Sequence, residues 1–202
     1  MDIVIRLEIA DDYREVETLT REAFWDIYKP GCAEHLLIHK LRKVPAFIPE
    51  LDFIACDKDK IIGNIVYSEA KVVNKSNEEF AVLCMGPLGL LPLYQGKGIG
   101  SLLMKHSITK ARELGYRAIV IFGNPDYYHR FGFVNSKRYD IQTAQGDNFD
   151  AFMTLELNDN SLNGINGKYF EDPVFKIEIG EVDEFEKGFP YREKHVTDTQ
   201  FK

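Results

Sequence analysis

Gln95-Gly96-Lys97-Gly98-Ile99-Gly100-Ser101 follows an apolar stretch, Leu88-Gly89-Leu90, and runs straight into a helical pattern. Glycines at alternate positions remove Cβ atoms where a ligand must come close to backbone. The first amides of the following helix have no intrahelical partner, and the helix dipole adds partial positive charge there. Strand end, glycine loop and helix start together form an anion site, most naturally for a phosphate or pyrophosphate.

Two common phosphate loops do not fit the spacing. A P-loop needs an earlier glycine ahead of Gly-Lys-Ser/Thr; here Leu91 stands in its place and Gly96-Lys97 is followed by Gly98. A dinucleotide fingerprint needs Gly-x-Gly-x-x-Gly, but Ser101 follows Gly96-x-Gly98-x-Gly100. Its ribose-binding acid should end the next strand, where Phe122-Gly123-Asn124 stands instead. The pattern that fits is Gln-x-x-Gly-x-Gly, filled by Gln95, Gly98 and Gly100.

The loop needs a strand before it and a helix and strand after it. The spacing predicts a strand over 80–90, with Gly86-Pro87 as a bulge or unpaired position. A helix from Ile99 carries Leu102, Leu103, Ala111 and Leu114 and ends at Gly115. The wholly apolar run Ala118-Ile119-Val120-Ile121-Phe122 reads as a central strand. A short turn or helix at Pro125-Asp126-Tyr127-Tyr128 then leads to Phe131-Gly132-Phe133, and a further strand covers 151–157.

Upstream, Ile3-Val4-Ile5 reads as a strand, and Asp11 or Asp12 caps a helix bearing Val16, Leu19, Ala23 and Ile27. A second helix runs from about Ala33 to Lys43, and Phe53–Cys56 with Ile61–Tyr67 form an antiparallel hairpin. Beyond Asn158 the chain is turn-rich and then strongly charged, which suggests a tail packed on the domain with its final residues frayed. The sum is an α+β domain with a mostly antiparallel sheet and a strand–helix–strand unit around the loop.

Composition narrows the function classes. A chain of 202 residues with 45% hydrophobic and 28% charged residues is ordinary for a globular protein that buries a substantial core. No apolar run approaches the roughly 20 residues needed to span a bilayer, and the N-terminus lacks the layout of a secretory signal. Cys32, Cys56 and Cys84 are isolated and odd in number, so neither a disulfide framework nor a metal site is expected, and a reducing cytoplasm suits them. A net charge of −7 argues against a nucleic-acid partner. His35, His39, His106 and His195 have no ligand-like spacing.

With Gln95, Gly98 and Gly100 in place, and Tyr128-His129-Arg130-Phe131-Gly132-Phe133 matching a Tyr-x-x-x-Gly-Phe element, the chain resembles the GNAT superfamily of acyl-CoA-dependent N-acetyltransferases. The run 123–128, followed by Phe152-Met153-Thr154-Leu155-Glu156-Leu157, is similar to that superfamily's bacterial YhbS-like branch. The resemblance covers about Ile5 through Leu157, which makes residues 1–157 the transferase domain and 158–202 a C-terminal extension.

The resemblance implies acetyl-CoA as co-substrate and a splayed pair of strands whose backbone binds its pantetheine arm. Leu88, Gly89 and Leu90 would belong to that binding strand, and the Leu90 N–H would donate to the thioester oxygen. Gln95, Gly96, Lys97, Gly98, Ile99, Gly100 and Ser101 would cradle the pyrophosphate. Tyr128 matches the family's acid, which protonates the departing thiolate, with Tyr127 as its competitor. Many members place an asparagine about seven residues before the tyrosine. Here Asn124 is four before it, so it is either a cofactor contact or a plain turn starter.

The base is open among Glu69, Glu78, Glu79, His129 or a water chain. Phe24, Trp25 and Tyr28 either line the acceptor pocket or are core. The implied reaction moves an acetyl group from acetyl-CoA to a primary amine, on a small molecule or a protein, in a monomer or homodimer with no membrane partner. The alternatives are a non-catalytic acyl-CoA-binding regulatory module and a general nucleotide binder.

Overall fold

The computed structural model describes residues 1–198 and Gln200. Among the described residues nine strands run in chain order: β1 Ile3–Leu7, β2 Phe53–Asp57, β3 Lys60–Val73, β4 Glu79–Leu90, β5 Ala118–Phe122, β6 Val134–Asn135, β7 Ile141–Gln142, β8 Phe152–Glu156 and β9 Gly167–Phe170. The described helices are α1 Tyr13–Phe24, α2 Glu34–Leu41, α3 Ile99–Glu113, α4 Pro125–Tyr128 and α5 Ile179–Glu186. The fold is mixed α and β around an open, mostly antiparallel sheet. The chain forms two compact units, and β3, β4 and α3 each contribute residues to both.

The first unit holds residues 1–66, 87–103 and 173–202. In it β1, β2 and the start of β3 pair antiparallel, with a bulge where the β2 register shifts between Ala55 and Cys56. Val16 and Leu19 of α1, Ile38 and Leu41 of α2, and Ile54, Ile61 and Val66 of the strands form its apolar core. Each such side chain contributes about 1.5–3 kcal/mol when fully buried. Asp12 stands at the start of α1 as expected, but its carboxylate accepts from Ile9 N and from both terminal nitrogens of Arg6 at 2.6 and 2.8 Å. The helix stops at Phe24, so Ile27 lies beyond it and is exposed.

The second unit holds residues 67–86 and 104–172. Here β5 pairs antiparallel with β8 along its whole length, from Ala118↔Glu156 to Phe122↔Phe152. Its pairing with β4 is parallel and covers only Leu83↔Ile119 and Cys84↔Val120. β4 continues unbroken through Gly86-Pro87 to Leu90, so the proline marks where pairing with β5 has ended and not a break in the strand. The β4–β5 ladder is confined to these two residue pairs. Ala118 to Ile121 are buried, whereas Phe122 is 49% exposed. Helix α3 ends at Gly115 (φ +82°), where Gly115 N donates to Arg112 O and Tyr116 N to Ala111 O, a Schellman stop.

Beyond residue 157 the structure adds what the turn-rich sequence did not announce: β9 pairs with Val73, Val72 and Lys71 of β3 and parallel with β7, and α5 forms in the charged tail. In the first unit the tail is anchored to α1. Arg21 binds Glu186 and donates to Pro190 O at 3.1 Å, and Trp25 Nε1 donates to Glu193 O at 3.0 Å. The expected fraying of the final residues concerns positions that lie partly outside the described residues. No described helix is long and apolar enough to cross a membrane.

Candidate active site

The glycine loop lies in the first unit. Pro92–Tyr94 forms a 3-10 turn after β4, and Gln95 Nε2 donates back to Leu90 O at 3.1 Å, tying the loop to the strand end. Leu91 N donates to Ile62 O of β3 at 3.0 Å. Successive amides of an extended strand point to opposite sides, so the N–H and C=O of Leu90 point away from β3. That orientation is the one required of a donor to a carbonyl oxygen lying alongside β4.

Gly96 and Gly98 adopt φ of +72° and +82°, and nothing lies within 4 Å of where a Cβ on either would sit. Both observations have one cause. Left-handed backbone folds the loop open, and the space in front of it is unfilled by protein. Leu102 N makes the helical bond to Gly98 O, so the amides of Ile99, Gly100 and Ser101 stand ahead of the ladder at the positive end of a fifteen-residue helix. Gly96, Lys97 and Gly98 are exposed, whereas Ile99 and Gly100 are buried. Lys97 Nζ lies 5.5 Å from the Tyr94 ring centroid and Lys60 Nζ 5.7 Å from it, so two cations flank the loop.

Gly89 and Leu90 sit against a tight wall. A Cβ on Gly89 would lie 2.7 Å from Asn64 Oδ1, 3.4 Å from Leu19 and 3.5 Å from Phe24. Opposite, a Cβ on Gly63 of β3 would overlap the Leu90 side chain. Phe24 therefore reaches the strand that carries the predicted donor. Trp25 does not share that role, because its indole is packed by Arg21 and Arg192, with Cζ atoms 4.2 and 5.2 Å from its ring centroid, and bonded to the tail. Tyr28 packs obliquely on Phe24, with centroids 6.2 Å apart. Leu88 is half-buried.

Tyr127 and Tyr128 lie in the second unit, on α4 just after β5. Asn124 caps this short helix, its Oδ1 accepting from Asp126 N at 2.9 Å, so that oxygen is engaged by the turn. The two rings meet edge-on and then diverge. Tyr127 turns to Phe131 and under Arg130 Cζ at 4.8 Å. Tyr128 turns back over Gly123 and edge-on to Phe133. Gly132, at φ +93°, closes the turn that sets Phe133 into the core. The ring aimed at the end of β5 is thus Tyr128.

The proposed bases are less favoured by their surroundings. Glu69 and His129 are exposed, Glu78 accepts from Asn74 at 2.7 Å, and Glu79 pairs with Lys71 at 2.6 Å. Among the histidines, His35 is fully buried 3.1 Å from Glu186, and burial lowers its pKa to about 4. His39 meets Glu17, His195 meets Asp26, and His106 is exposed on α3. Among the described residues no group of His, Cys, Asp and Glu could hold a metal ion.

Residues 13–133 match the Acetyltransferase (GNAT) family. This chain belongs to the GNAT acetyltransferase family. Its members transfer an acyl group from acyl-CoA. The chain is 31% identical over 166 residues to the uncharacterized N-acetyltransferase YhbS of Escherichia coli (strain K12), covering 82% of this chain and 93% of that one. The uncharacterized N-acetyltransferase YjhQ of the same strain is 30% identical over 61% of this chain and 64% of its own. The crystal structure of Escherichia coli YhbS in complex with CoA superposes with a TM-score of 0.76 at 29% identity, covering 86% of this chain and 91% of that one. A Brucella melitensis GNAT acetyltransferase in complex with acetyl-CoA shares the fold, with a TM-score of 0.69 at 24% identity over 87% and 99% of the two chains.

Proposed function

We propose that this GNAT acetyltransferase moves the acetyl group of acetyl-CoA to a primary amine by direct attack, with Tyr128 as the acid. The observation that carries the reading is the glycine loop: left-handed backbone at Gly96 and Gly98, open space before it, and helix amides free of intrahelical partners. The pyrophosphate of CoA is the ligand this arrangement suits, held by the backbone of Gln95 to Ser101 with Lys97 adding charge. The CoA and acetyl-CoA held by the two similar proteins support the same choice.

Along β4, the backbone of Leu88 and Gly89 would pair with the amides of the pantetheine arm where β5 has parted from it. The Leu90 N–H would then meet the thioester oxygen as negative charge develops there. Tyr128 would give its phenolic proton to the sulfur as the C–S bond breaks, so that CoA leaves as the thiol. Asn124 is left as a turn-forming residue with its amide nitrogen open to the cofactor reading. We take residues 1–157 as the transferase domain and place the protein, with its three buried reduced cysteines, in the cytoplasm.

The reading is tested by incubating the purified protein with acetyl-CoA and a panel of small amines, amino acids, aminoglycosides and a lysine-rich protein. Amine-dependent thiol release with an acetylated product supports it. Acetyl-CoA binding without transfer to any of them would favour a regulatory acyl-CoA-binding module.

A further inference from the structure

The end of β5, in the second unit, carries different side chains on its two faces. Successive side chains of a strand point to opposite sides of the sheet. Gly123 N donates to Ala151 O at 2.9 Å, which continues the β5–β8 pairing one residue past Phe122. On the Gly123 side, the Tyr128 ring lies where a Cβ would stand. Phe122 projects to the other side, opposite Phe152 of β8 and stacked on its ring at 5.1 Å. Pairing with β4 stops at Val120, so among the described residues no β4 partner covers this end of β5.

Phe122 is 49% exposed, and Phe149, stacked on it with ring centroids 6.0 Å apart and planes at 26°, is 46% exposed. Two adjoining rings half in water make a patch, which scattered single apolar residues do not. Buried neighbours hold both rings in place. Phe152 lies 6.2 Å from Phe149, and Tyr169 meets Phe122 edge-on at 6.2 Å. Rings fixed in this way lose little further freedom when a ligand covers them. A third ring laid on the pair would gain both apolar burial and the offset or edge-on geometry that aromatic pairs prefer.

With Tyr128 occupying one face of the strand end, the attacking nitrogen is left the other face, where it meets Phe122 and Phe149. The nitrogen is neutral when it attacks, so what the rings hold is the carbon part of the acceptor and not a charge. Resting on the amine-transfer reading, we propose that the acceptor is a small amine carrying an aryl group, and that Phe122 and Phe149 are the residues that select it. The aryl ring lies on the phenylalanine pair, and a short alkyl arm brings the nitrogen to the acetyl carbon at the end of β5.

The test uses phenethylamine, 2-cyclohexylethylamine and ethylamine, of which the first two are alike in size and differ in the ring. Acetyl-CoA binding by calorimetry and kcat/KM by thiol release are measured for the wild type, Phe122→Ala and Phe149→Ala. We expect the wild type to favour phenethylamine over 2-cyclohexylethylamine by at least about threefold, and over ethylamine by at least about tenfold. Each variant should lose at least about fivefold with phenethylamine, stay within about twofold with ethylamine, and bind acetyl-CoA within about twofold of wild type. Phe149 lies in the connection ahead of β8, so its variant carries the test if Phe122→Ala fails to fold. Equal losses with phenethylamine and ethylamine, no loss with either, or a preference for the cyclohexyl ring overturns the aryl assignment and leaves acetyl transfer intact. So does a wild type that acetylates other amines and none of these three. A wild-type protein that binds acetyl-CoA and acetylates no amine overturns the transfer reading, and the acceptor class with it.

Discussion

Gly123 and Tyr128 are fitted to each other: a Cβ at position 123 would overlap Cε2 of the tyrosine and lie 2.7 Å from its Cδ2. The glycine is needed here for space and not for backbone freedom, since its φ is not in the left-handed region. It ends β5 and lets the phenol fold back over the strand terminus, while Asn124 begins the turn that brings the ring round.

Gly123→Ala should therefore act as a Tyr128 mutation in disguise. The added methyl meets the ring of an aromatic held edge-on by Phe133, so the ring must move. Turnover is expected to fall at least tenfold, about 1.4 kcal/mol, with acetyl-CoA binding within threefold of wild type. Steady-state kinetics beside calorimetric titration separates the two quantities.

Tyr128→Phe removes the proton donor and keeps the packing. A kcat loss of about tenfold to a hundredfold with an unchanged affinity for acetyl-CoA is the expected result. Tyr127→Phe is the control, since that ring turns to Phe131 and Arg130, and it should stay within about twofold. Reversed effects in the two variants would move the acid role to Tyr127.

Gly98→Ala places a Cβ where φ is +82° and where no protein atom lies within 4 Å. Left-handed backbone at a non-glycine residue costs about 1–2 kcal/mol, and the methyl would enter the space assigned to the pyrophosphate. The variant should lose several degrees or less in Tm yet bind acetyl-CoA at least tenfold more weakly. An equal loss of stability with no loss of affinity would detach the ligand from this loop.

A buried carboxyl sets a pH signature on stability. Asp52 is 3% exposed, and its pKa is raised strongly, first by burial and then by the hydrogen bond and charge of Glu8, against a smaller lowering by Arg42. Its folded pKa stands above its unfolded value, so its contribution is full below the unfolded pKa and is lost as pH rises toward the folded one. Asp52→Asn, a mimic of the protonated form that can still donate to Glu8, should flatten the decline in Tm between weakly acidic and alkaline pH. Parallel melting curves for the two proteins across that window would contradict the assignment.

Much of this arrangement is legible in the residue pattern. The glycine spacing, the apolar run of β5 and the glycine stop of α3 each follow from a local rule, so loop, central strand and helix were readable without coordinates. The Tyr-x-x-x-Gly-Phe pattern that singles out Tyr128 for the proposed acid role is legible as well, running from Tyr128 to Phe133. Gly123 was not, because the reason for it is a ring five residues away, and no propensity encodes that contact. The continuous passage of β4 through Pro87 was hidden because pairing on one side only frees the position from needing an amide donor.

Calorimetric titration of the purified protein with acetyl-CoA, with ATP and NAD as controls, tests the central claim most directly. Selective binding of acetyl-CoA near micromolar affinity, about −8 kcal/mol, is the predicted result. Binding of ATP or NAD with no heat from acetyl-CoA would contradict it, and the glycine loop would then serve another nucleotide.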